Sequence, residues 1–115
     1  MTEPRYYLEI ESTPNNLITV EEFVNFFSVE LGLELEKMNG LLLAVTEATT
    51  NAIIHGNKNN KLKLVRISVF VDGSNLTIII KDEGKGFDPS IVPDPTDPEN
   101  LLKDSGRGLY LMRIY

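Results

Sequence analysis

Between Arg5 and Glu11 aromatic and aliphatic side chains partly alternate with charged ones, a period near two that predicts a strand. The turn-forming run Ser12-Thr13-Pro14-Asn15-Asn16 closes it. The period then lengthens. Val20, Phe23, Val24, Phe27 and Leu31 recur at helical spacing up to Gly32, and Thr19 with Glu22 three residues on is the capping box expected to start that helix. A second helical pattern runs from about Leu35 to His55 through Met38, Leu41, Leu42, Val45, Ala48 and Ala52. It is predicted to stop in a left-handed cap and turn at Gly56-Asn57-Lys58-Asn59-Asn60.

Leu64 to Asp72 and Asn75 to Lys81 are rich in Val and Ile and are joined through Gly73-Ser74, which predicts a β-hairpin. The second of these strands runs directly into Asp82-Glu83-Gly84-Lys85-Gly86. Residues 88 to 104 carry Pro89, Pro93, Pro95 and Pro98 among acidic side chains and few apolar ones, the pattern of a mobile loop rather than of core. A last helix is expected to begin near Gly106 or Gly108 and to continue through Leu109, Leu111 and Met112. No internal repeat is visible.

At 115 residues the chain has the length of one domain, spanning 1–115. No apolar run reaches the roughly 18 to 20 residues of a membrane span, and no basic-then-apolar leader opens the chain, so a cytoplasmic protein without a membrane partner is expected. The absence of cysteine excludes a disulfide framework and a thiolate metal site. The formal net charge of −6, with no basic stripe, argues against direct binding to nucleic acid. It also means that any phosphate site has to be local, built from backbone N–H groups and a divalent cation.

Three groups of residues carry candidate chemistry. Glu47, Asn51 and His55 are spaced by four and would lie along one face of the second helix, either lining a cavity or forming a solvated stripe. An asparagine oxygen can ligate magnesium, which prefers oxygen donors. Glu47, one turn earlier, could take a proton from a water or hydroxyl attacking a terminal phosphate. Asp82, at the end of a β-branched strand, could accept the exocyclic amine hydrogen of adenine, with Gly84 and Gly86 letting backbone pass beneath a flat ring. The plainer alternative is a glycine-rich turn. Gly106-Arg107-Gly108, if it opens a helix, would present free N–H groups to phosphates, with the proline-rich stretch as a lid, although it could equally be a plain helix start.

Taken in order, Glu47-x-x-x-Asn51-Ala52 with His55-Gly56, then Asp82-x-Gly84-x-Gly86, then Gly106-x-Gly108, resemble the N, G1 and G2 boxes of the gyrase, heat-shock chaperone, histidine-kinase and mismatch-repair ATPases. The run from Glu47 to Gly56 and Gly86-Phe87-Asp88-Pro89 look like those of the anti-sigma-factor serine kinases. The resemblance covers nearly the whole chain. It implies an α/β (α+β) two-layer sandwich of the Bergerat type, with helices on one face of a mixed, largely antiparallel sheet. Mg-ATP would be held between the layers. By the same resemblance Asn51 ligates Mg2+, Glu47 is the general base and Asp82 reads adenine. Gly84, Gly86, Phe87, Gly106, Arg107, Gly108 and Leu109 complete the nucleotide-binding set. Family members phosphorylate a serine of a small anti-anti-sigma (STAS-type) partner, and many sequester a sigma factor as a homodimer.

Two departures stand out. The chain ends at Tyr115, about where the family's last helix leads into closing strands, so the last strand or strands are expected to be missing. The first helix carries Glu21, Glu22 and Asn25 where many relatives have an arginine. Two other functions compete with the kinase. One is a nucleotide-gated partner-binding module without phosphotransfer, which would not need Glu47. The other is the ATP-binding half of a histidine kinase, against which stands the lack of a phospho-accepting helix ahead of the domain.

Overall fold

The computed structural model describes residues 3–84 and the backbone of 101–104 and 109–114. The chain forms one five-stranded sheet with two helices against it: β1 (Tyr6–Glu11), α1 (Leu17–Glu30), α2 (Leu35–Asn51), β2 (Leu64–Asp72), β3 (Asn75–Lys81), β4 (Leu101–Asp104) and β5 (Leu109–Ile114). The strand order is β1-β2-β3-β5-β4. Every described pairing is antiparallel, so the sheet is not mixed among these residues.

Alternation decides which side of the sheet is inside. Val65, Ile67 and Val69 of β2 and Leu76, Ile78 and Ile80 of β3 are buried, and register sets Ile67 opposite both Leu8 and Ile80, and Val69 opposite both Tyr6 and Ile78. Against this face lie Val20, Val24 and Phe27 of α1 and Leu41, Val45 and Ala48 of α2, all at helical spacing. Tyr6 stacks on Phe27 with ring centroids 5.6 Å apart, and Phe23 meets Phe27 edge-on at 5.2 Å, pinning α1 to the β1 side.

Helix ends show where local signals held and where they were overridden. The first helix stops at Gly32 as expected: its φ is +71°, Gly32 N–H donates to the Val29 carbonyl, and Leu33 N–H donates to the Ser28 carbonyl, a Schellman closure. Its start differs. Pro14 opens a 3-10 turn over Pro14–Asn16 that winds straight into α1 at Leu17, so Thr19 lies inside the helix and the Thr19–Glu22 capping box does not form.

The expected C-terminal helix is a strand. Leu109–Ile114 pairs antiparallel with β3, and Leu101–Asp104, assigned above to a loop, pairs with β5 in turn. The physical reason is the free edge of β3. Its N–H and C=O groups need partners, and Leu109–Ile114 supplies a six-residue ladder to them. The rest of the expected lid, residues 88–100, lies outside the described residues.

Candidate functional site

The parity that buries Leu76, Ile78 and Ile80 extends one step past the strand and puts Asp82 on the same inward side, 3% exposed. The carboxylate is therefore delivered into the core layer rather than to solvent. Its Oδ1 accepts the Gly84 N–H at 2.8 Å, and its Oδ2 has no hydrogen-bond partner among the described residues. Burial pushes the Asp82 carboxyl above the ordinary carboxylate range, with the Gly84 N–H and the nearby Lys63 charge opposing it.

Helix α2 reaches this carboxylate through an unusual last turn. Ala52–Gly56 is wound as a π-helix, with the Asn57 N–H donating to the Ala52 carbonyl at 2.8 Å, five residues back. A Cβ on Gly56 would lie 2.0 Å from Asp82 Oδ2, and one on Gly84 would lie 2.0 Å from the Gly56 carbonyl oxygen. Only two glycines allow the helix end and the strand-end turn to touch this closely. The left-handed residues of the following turn are Lys58 (φ +53°) and Asn59 (φ +58°), not Gly56, whose missing side chain serves the close approach instead.

Asn51 and Glu47 sit on α2 ahead of this contact, both half-buried, next to the fully buried Ala48 and Ala52. Asn51 is five residues before Gly56, on the order of 7 Å along the helix axis, so the Asn51 turn and the Asp82 turn border one end of the sandwich. His55 falls within the π-wound turn and is exposed, whereas Glu47 and Asn51 are half-buried. Leu109 falls opposite Lys81 in the β3–β5 register, which brings its backbone to the Asp82 end of the sheet. Gly86, Phe87, Gly106, Arg107 and Gly108 lie outside the described residues.

One residue that the motif reading did not single out is Asn57. It is 1% exposed and joins the site to both neighbouring strands. Its Nδ2 donates to Ser12 Oγ (2.7 Å) and to the Leu64 carbonyl (3.0 Å), and its Oδ1 accepts the Glu83 N–H (2.7 Å). A sequence signal did exist, since an asparagine directly after a helix-terminating glycine is poised for side-chain to backbone bonding, but its partners are set by tertiary contact.

As for ligands, the site has a buried acceptor that no donor among the described residues meets, beside a floor made of glycine backbone, which suits a flat base bearing an amine. Among the described residues no group of three or more His, Cys, Asp or Glu side chains is placed to hold a metal ion. A separate groove of about 600 Å³ runs along the outside of α1 between Glu22, Asn25, Phe26, Val29 and Glu30, and shares no residue with this site. Among the described residues no helix is long and apolar enough to cross a membrane.

Comparison with known proteins gives the family and the fold. The family model described as "Histidine kinase-like ATPase domain" matches residues 10–114. The anti-sigma F factor of Clostridium botulinum (strain Alaska E43 / Type E3) is 30% identical over 117 residues, covering 100% of this chain and 82% of that protein. The anti-sigma F factor of Clostridium beijerinckii is 34% identical over 118 residues, with the same coverage of each. Among solved structures, the RsbU and RsbW domains of Rv1364c from Mycobacterium tuberculosis superpose with a TM-score of 0.68 at 15% identity, over 94% of this chain and 30% of that one, a likeness of fold.

Proposed function

The chain belongs to the histidine kinase-like ATPase domain family, in the branch of the anti-sigma factors, and from that premise we propose that it binds Mg-ATP where Gly56 and Gly84 meet and transfers the γ-phosphate to a serine of an anti-anti-sigma partner. The observation that carries the proposal is the Asp82 carboxylate: buried, with one oxygen held by its own turn and the other lacking a donor among the described residues. A buried acceptor left unpaired costs about 1 to 3 kcal/mol, a cost that an incoming amine hydrogen removes. The fold tolerates that cost for the sake of a ligand.

In this reading Asp82 Oδ2 accepts from the adenine amine while the Gly56–Gly84 contact leaves backbone rather than side chains beneath the ring. Asn51 offers its side-chain oxygen to the magnesium that accompanies the triphosphate. When bound, that ion neutralises charge on the phosphate oxygens. Glu47, one helical turn away, takes the proton of the partner's serine hydroxyl as its oxygen attacks the γ-phosphorus and ADP departs. Leu109 lies at the same end of the sheet, and Gly86, Phe87, Gly106, Arg107 and Gly108 are assigned to the nucleotide by family resemblance alone.

The names of the relatives point to a sigma factor as a second partner. A homodimer as the gripping unit is part of the proposal and rests on the family resemblance alone. Incubation of the protein with γ-labelled ATP, magnesium and a co-encoded anti-anti-sigma candidate tests the kinase: label is expected on a partner serine. Tight, nucleotide-dependent association without label would replace the kinase with a nucleotide-gated binder.

A further inference from the structure

Asn57 spends its whole side-chain amide on neighbours from three other parts of the chain. The direction of each bond is forced. Leu64 C=O can only accept and Glu83 N–H can only donate, so Nδ2 faces the first and Oδ1 the second. The Ser12 hydroxyl donates to the Lys63 carbonyl at 2.6 Å, which leaves its oxygen free to accept from Nδ2. Glu83 is held a second time by its own side chain, which accepts the Leu64 N–H. The end of β1, the start of β2, the turn that ends α2 and the turn that follows β3 thus meet at one buried amide.

The consequence falls on Asp82. The peptide joining Asp82 to Glu83 is planar, so a fixed Glu83 N–H fixes the plane that leaves Asp82 and hence the rotation from which its side chain projects. Gly84 N–H and Gly56 confine the carboxylate itself, but neither holds the peptide on which it is mounted. No other side chain described here combines one acceptor and two donors at this junction. Aspartate lacks the donors, and serine is too short to reach Glu83 while keeping both strands.

We propose that Asn57 is a positioning residue of the nucleotide site: through Glu83 N–H it sets where Asp82 Oδ2 stands, and thereby how strongly the site prefers adenine over guanine. This rests on the proposal that Asp82 meets the base. Guanine presents a carbonyl where adenine presents an amine, and a carboxylate held in place rejects it, whereas one free to turn away does not.

The test uses the full chain with Asn57→Ser, Asn57→Asp and Ser12→Ala. For each folded variant, ATP and GTP affinities are measured by calorimetry well below the melting temperature, and amide hydrogen exchange of Glu83 is followed by NMR. Asn57→Ser is expected to weaken ATP by about ten-fold, to lower the ATP:GTP affinity ratio by a similar factor, and to speed exchange at Glu83. Asn57→Asp, which keeps an acceptor for Glu83 N–H, is expected to restore the ratio despite a lower melting temperature. If Asn57→Ser does not fold, Ser12→Ala frees the far end of the amide, and the ratio is expected to fall in the same direction. Folded variants that keep the wild-type ratio and Glu83 exchange while only melting earlier would overturn the positioning role. A wild-type chain without preference for ATP would instead overturn the adenine site, and Glu83 exchange alone would then decide whether Asn57 governs the turn.

Discussion

A Cβ on Gly84 would stand 2.0 Å from the carbonyl oxygen of Gly56, so the end of α2 and the turn after β3 touch through bare backbone. Two polar chain segments are brought into direct contact at the edge of the core, and the carboxylate of Asp82 is packed against the same glycine. Such closeness is unneeded for a hairpin turn and suits a floor over which a flat ligand slides.

Replacing either glycine by alanine should therefore damage both fold and site. In each case the added methyl meets backbone or a confined carboxylate that cannot swing away. A destabilisation of about 1 to 3 kcal/mol is expected, as for other overpacked sites, with loss of nucleotide binding. Thermal unfolding with and without ATP measures both, and a Gly84→Ala chain with unchanged melting temperature and affinity would contradict the contact.

Asp82→Asn should separate stability from binding. The carboxyl is raised by burial, so the folded chain holds its proton to higher pH than the unfolded chain does. Stability from this group is thus highest in acid and is lost as pH rises from the ordinary carboxylate pKa of 3.8 through the raised folded value. Asp82→Asn removes that penalty, so the ligand-free variant should melt no lower than wild type at neutral pH and should lack this part of the pH dependence. Its ATP affinity should fall roughly ten- to hundred-fold, the cost of losing a charged hydrogen bond. In the wild type, ATP affinity should weaken as pH falls through the raised value, where the acceptor becomes protonated; calorimetry across that range checks the sign.

Asn51→Ala is expected to abolish magnesium-dependent ATP binding with little change in melting temperature, because the side chain is only half-buried and has no packing role comparable to Ala48 or Ala52. Titration of ATP with magnesium and then with excess chelator reads this directly. Equal binding under both conditions in the wild type would remove Asn51 from the metal.

Glu47→Ala should leave ATP binding within about two-fold of wild type while removing label transfer to the partner serine, since a base matters to the chemical step and not to ground-state binding. Single-turnover assays with labelled ATP distinguish the two effects.

Much of this was legible in the chain because it depends on short-range period. Alternation in β2 and β3 set the buried face and, carried one residue on, turned Asp82 inward. Three- and four-residue spacing located both helices, and Gly32 marked where the first one stops. These features follow from side-chain direction along a single element, which needs no knowledge of neighbours.

What failed depended on partners distant in sequence. Leu109–Ile114 reads locally as the continuation of a helix, yet the open edge of β3 recruits it as a strand. The π-wound turn that ends α2, and the hydrogen bonds of Asn57, arise where α2 meets β1, β2 and the turn after β3. The sequence by itself determined which faces are apolar, and it named the residues that are candidates for chemistry. Only the tertiary structure decided which backbone groups pair and which side chains converge, because hydrogen-bond satisfaction is a property of the whole packed chain rather than of any stretch of it.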